Sequence, residues 1–79
     1  MMKISQEERK KLVKAVRRQM REINIGESPA HFGYYNMLVQ LLKIYSKKSI
    51  SCEDIEKIKQ LYKENKDNIA VVNRSKLIF

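Results

Sequence analysis

The chain has no tryptophan, one cysteine, one proline, two glycines and one histidine in 79 residues. Each shortage excludes something. A single cysteine, Cys52, cannot close an internal disulfide, so the small core is not stapled and suits a reducing, cytoplasmic compartment. His31 and Cys52 are 21 residues apart, and no CxxC or HxxH spacing occurs, so no metal site and no cofactor are expected. Three Gly and Pro residues in total build few turns, which argues against a fold of many short strands. Long hydrophobic runs are missing too. The longest uncharged stretch, residues 28–42, is fifteen residues long and contains Pro29, His31, Gly33, Asn36 and Gln40, too short and too polar to span a membrane. The opening "MMKISQEERK" has no apolar run behind its charges and does not read as a signal peptide.

Catalytic patterns are equally sparse. Gly26 and Gly33 follow no strand and precede no Lys-Ser pair, so they make no phosphate-binding loop. Glu53, Asp54 and Glu56 cluster at a predicted helix start, where acids favour the helix dipole without doing chemistry. Nothing in the spacing brings Cys52 to His31 as a nucleophile and base. Cys52 reads as a small packing residue and His31 as a surface or cap residue. No enzyme activity is expected.

What the chain does have is positive charge. Seventeen Lys and Arg stand against nine Asp and Glu, a net charge of +8. With 43% apolar residues there is enough material for a core, and 79 residues make a single domain over 1–79 with no linker. So strong an excess favours anionic partners: nucleic acid, an acidic protein face or anionic lipid.

Helix signals divide the chain into three. Ser5 followed three residues on by Glu8 reads as a capping box, opening a helix over about 5–24. "NIGESP" ends it, and Ser28 with Pro29 starts a second over about 29–47. Ser51, with Glu53 and Asp54 behind it, starts a third over about 51–67. The tail "NIAVVNRSKLIF" carries strand-prone "IAVV", but a lone strand has no partner. The tail is expected as a short fourth helix or an extended segment on the bundle. The expected fold is all-α, a small three-helix bundle with that tail.

The faces of these helices differ. On the first, Leu12, Val13, Val16, Met20 and Ile23 fall on an arc of roughly 100°, the apolar stripe of an amphipathic helix. Lys10, Lys11, Lys14, Arg17, Arg18 and Arg21 fall nearly opposite, and Glu7, Glu8 and Glu22 lie only at the ends. The like-charged pairs Lys10/Lys14, Lys14/Arg18 and Arg17/Arg21 each cost a helix a few tenths of a kcal/mol. A merely solvated face mixes its signs, as the third helix does with Glu53/Lys57, Glu56/Lys59 and Lys63/Asp67. The second helix is apolar almost all round, with a narrow polar strip of Asn36, Gln40, Lys43 and Lys47, so it should be buried. Any part its neighbours fail to cover would favour a homodimer through this helix. Of the four tyrosines, Tyr45 and Tyr62 lie at core-like positions. Tyr34 and Tyr35 point to different sides, so at most one of them is free to stack on a base.

The functional expectation is a small basic binding protein that contacts nucleic-acid phosphates, with little sequence specificity, through Lys10, Lys14, Arg17, Arg18 and Arg21. Lys47 and Lys48, with Arg74 and Lys76, would assist. The alternative is an adaptor or inhibitor that docks the same face on an acidic protein. A membrane-surface role for the first helix is less well supported, because its apolar arc has no Trp or Phe and is needed for the core.

Overall fold

The structure, a computed structural model, describes residues 5–77, and side chains through residue 74. The described residues form four helices: α1 Gln6–Glu22, α2 Pro29–Tyr45, α3 Cys52–Glu64 and α4 Lys66–Leu77. The all-α expectation holds. The tail resolves into a helix of 12 residues, almost as long as α3 with 13.

Serines start the first three helices as their sequence positions predict. Ser5 Oγ accepts from Glu8 N–H, Ser28 Oγ from His31 N–H, and Ser51 Oγ from Asp54 N–H. At Ser51 the capping box is complete, because the Asp54 carboxylate also accepts from Ser51 N–H at 3.0 Å. At Ser5 the reciprocal bond from Glu8 expected of a capping box is not formed among the described residues.

The predicted third helix ran to residue 67. It stops instead at Glu64, and one residue, Asn65, separates it from α4. Asn65 serves both helices. Its backbone N–H and its Nδ2 donate to Leu61 O at 3.1 and 2.9 Å, closing α3, while its carbonyl accepts from Ile69 N–H at 2.9 Å, opening α4. Its Oδ1 accepts from Asn68 Nδ2 at 3.0 Å. A break so fully hydrogen-bonded needs neither Gly nor Pro.

The packing is arranged around α2. Helix α1 lies along one side of it and α4 along another, with α3 in lesser contact with both α2 and α4. Among the described residues the backbone of α1 comes close to that of α2 but not to that of α3 or α4. The three-helix expectation gave α3 the role of second wall. In the structure α4 takes that role, through Val72, which is 1% exposed. The core comprises Val16 from α1, Tyr34, Met37, Leu38, Leu41, Ile44 and Tyr45 from α2, Leu61 from α3 and Val72 from α4. Leu12, Val13, Met20 and Ile23 pack against it, as the apolar arc of the first helix requires.

Gly33 lies where α2 and α4 approach tightly. A Cβ there would come within 2.5 Å of Asn68 Nδ2. Where α2 is left uncovered, the exposed residues are Pro29, Phe32, Asn36, Gln40 and Lys43. The apolar excess of the second helix is therefore mostly covered within the chain, and Phe32 is its largest uncovered remnant.

Candidate nucleic-acid interface

Helix α1 presents Lys10, Lys11, Lys14, Arg17, Arg18 and Arg21 to solvent; all six are exposed. Among the described residues no ion pair joins this row to the acids of α3, whose pairs are with Lys47 and Lys59. Among the described residues the one ion pair within the row is Arg18 Nε to Glu22 Oε1 at 3.5 Å, and both side chains are largely exposed. Such a pair is worth about 0–1 kcal/mol and yields readily to a stronger anion. Lys11, Lys14, Arg17, Arg18 and Arg21 surround a shallow recess over Ala15. From Lys10 to Arg21 the row runs about 16 Å at 1.5 Å per residue.

On its other flank the row borders the seam between α1 and α2. One recess there is lined by Arg9, Lys10, Val13, Lys14, Arg17 and Ser46. A second is lined by Arg17, Met20, Arg21, Tyr35 and Leu42. Arg17 stands between them and borders both.

Of the other residues singled out in the sequence, Lys47 and Lys48 follow α2 in the turn beside Ser46, near the Lys10 end of the row. Lys47 is already engaged: its Nζ donates to Asp54 Oδ1 at 2.7 Å. Lys48 is exposed, and so is Arg74 on α4. Lys76 and the apolar end Leu77–Phe79 lie outside the described side chains.

Arg9 escaped the sequence reading. It is half-buried and its Nη1 donates to Tyr45 O at 3.0 Å, while its Nη2 donates to Gln6 Oε1 at 2.9 Å. A guanidinium on a carbonyl left over at the C-terminal end of α2 satisfies an orphan acceptor and complements the dipole. Its Nε is buried without a partner. No periodicity on α1 could have told Arg9 from the cations beside it, because its partner lies 36 residues away.

His31 differs from expectation as well. It caps, but it is not on the surface: 3% of it is exposed. Its Nδ1 lies 2.7 Å from Ser28 Oγ and its Nε2 lies 3.2 Å from Glu27 Oε2. This row of Glu, His and Ser occupies a single helix start, and the Ser28 oxygen is committed to the His31 N–H as the cap, so it reads as a helix-starting device. Cys52, expected to pack, is exposed at the first position of α3. Among the described residues no three His, Cys, Asp or Glu side chains are grouped to hold a metal ion, and no helix is long and apolar enough to cross a membrane.

The tyrosines sort clearly. Tyr34 and Tyr45 are buried, and the Tyr34 hydroxyl donates to Gln19 Oε1 at 2.9 Å across the α1–α2 seam. Burial pushes both phenols above the ordinary 10.0, and nearby Tyr62 raises both further, so neither ionises near neutral pH. Tyr62, expected at a core-like position, is 47% exposed. Tyr35 is half-buried at the seam.

These features define a class: an all-α chain whose described residues form four helices, with a row of six exposed cations, one of them in a weak ion pair, on the first. No protein-family model, curated protein or solved structure matches it.

Proposed function

We propose that this chain is a non-catalytic nucleic-acid-binding protein that grips phosphates through Lys10, Lys14, Arg17, Arg18 and Arg21 of α1, with Lys48 at the end of the row. One observation carries the reading. The six cations of the α1 row are exposed and, apart from the weak Arg18–Glu22 pair, form no ion pair among the described residues. Their mutual repulsion costs the helix stability that a mixed-sign face would not cost, and a polyanion relieves it. Contacts of this kind fix a protein on a backbone and carry no sequence information. Lys47 drops out of the working set, because its ammonium is spent on Asp54.

The test is charge reversal. The double variant Arg17→Glu, Arg18→Glu should bind labelled DNA about ten-fold more weakly at low salt, by the same factor for unrelated sequences, with its helix content intact by circular dichroism. A loss confined to one sequence contradicts backbone contact. If the wild-type chain instead takes up an acidic protein in stoichiometric, nuclease-resistant fashion and ignores nucleic acid, the row is an adaptor face.

A further inference from the structure

We infer that the preferred ligand is a single strand rather than a duplex, with an unstacked base seated on Tyr35 in the α1–α2 seam. The inference rests on the phosphate-binding reading of α1 and deepens it. The second seam recess, of about 340 Å³, has an apolar floor of Met20, Tyr35 and Leu42 and is bordered by Arg17 and Arg21. All three floor residues are half-buried, so each still shows a surface to solvent. A duplex has no use for that floor. It turns phosphates outward and keeps the faces of its bases stacked inside. A single strand can place a flat ring on an aromatic side chain while guanidinium groups hold the adjoining phosphates or stack on the ring themselves.

An acidic helix is the other occupant this charge would suit, and the floor fits it less well. A docked helix needs an unbroken apolar stripe, read as i, i+3, i+4 and i+7 anchors. Here Arg17 ends the Met20–Tyr35–Leu42 floor, and the next recess along the seam is lined by Arg9, Lys10, Lys14 and Arg17 with Val13 as its one apolar residue, which suits a phosphate and not an apolar anchor. A cationic recess beside an aromatic one matches the phosphate and the base of a nucleotide chain. Tyr35 is also the tyrosine available for such a contact at the seam. Tyr34 beside it is buried and tied to Gln19, and among the described residues no hydrogen bond holds the Tyr35 hydroxyl.

The experiment compares three labelled ligands of equal charge by fluorescence anisotropy: a short oligothymidine, an abasic strand of the same length, and a duplex with the same number of phosphates. The oligothymidine should bind at least about five-fold more tightly than the abasic strand. Tyr35→Ala should remove that advantage and leave the salt dependence unchanged, while Tyr35→Phe should keep it. The abasic comparison uses the unaltered protein, so it stands even if Tyr35→Ala disturbs folding. Equal affinity for the base-bearing and abasic strands overturns the inference but leaves the phosphate reading standing. Binding to none of the three ligands at low salt overturns both. Tight binding of a polyglutamate peptide, weakened by Tyr35→Ala, without nucleic-acid binding would give the seam to an acidic protein segment and overturn both as well.

Discussion

The carboxylate of Asp54 accepts from Lys47 Nζ at 2.7 Å and from Ser51 N–H and Oγ at 3.0 Å each. The Lys47 bond, then the Ser51 backbone bond, hold its pKa at about 2 against an ordinary 3.8, with burial opposing them in part. A carboxylate whose pKa is lower in the folded chain adds stability that is fully present above its unfolded value. That stability is lost as pH falls from about 3.8 towards 2. Thermal melts followed by circular dichroism across that range should show the wild-type midpoint falling. Asp54→Asn should be less stable at pH 7 and should lack this part of the acid response. An unchanged acid response in the variant contradicts the assignment. The sequence placed Asp54 correctly at a helix start but saw in Lys47 only a candidate phosphate contact, because the turn that joins them leaves no periodic trace. The same blindness hid Arg9 and, though His31 was read as a surface or cap residue, hid its burial. Each owes its role to a partner on another element or in a loop.

At the scale of elements, starts were easier to read than ends. Ser5, Ser28 and Ser51 all cap where expected. A short fourth helix was one of the two expectations for the tail, but its start was placed too late because Asn65 breaks the helix with its own side chain, and asparagine is also tolerated inside helices. The crossing of α2 on α4 depends on a residue that looks like a defect in the sequence. Mid-helix glycine costs about 1 kcal/mol relative to alanine. At Gly33 the missing Cβ makes room for Asn68, whose amide is fixed on Asn65 Oδ1 at 3.0 Å. Gly33→Ala should therefore destabilise the chain by about 1 kcal/mol, overpacking outweighing the propensity gain. In an Asn68→Ala background the same change should become neutral or stabilising by up to about 1 kcal/mol. Urea unfolding of the four proteins measures the coupling. Equal effects of Gly33→Ala in both backgrounds contradict a tight crossing.

The molecule as a whole keeps its two kinds of surface apart. The apolar stripe of α1 closes on α2, its basic row faces outward, and among the described residues no ion pair joins that row to the acids of α3. That separation was legible in the sequence, since 3.6-residue periodicity alone assigns Lys10, Lys14, Arg17, Arg18 and Arg21 to one face and Leu12, Val16 and Met20 to the other. The seam recess was not legible, because Met20 and Tyr35 meet only once α1 and α2 are paired. Covering of α2 from two sides by α1 and α4 also reduces the apolar surface left for a second copy, leaving Pro29 and Phe32 at one end of a strip continued by Asn36, Gln40 and Lys43. The central claim is that the α1 row displaces the counterions of five or six phosphates. Titrating a protein–duplex complex with salt tests it most directly. The logarithm of the binding constant should fall with the logarithm of salt concentration with a slope of about −5, and a slope near zero would contradict the claim.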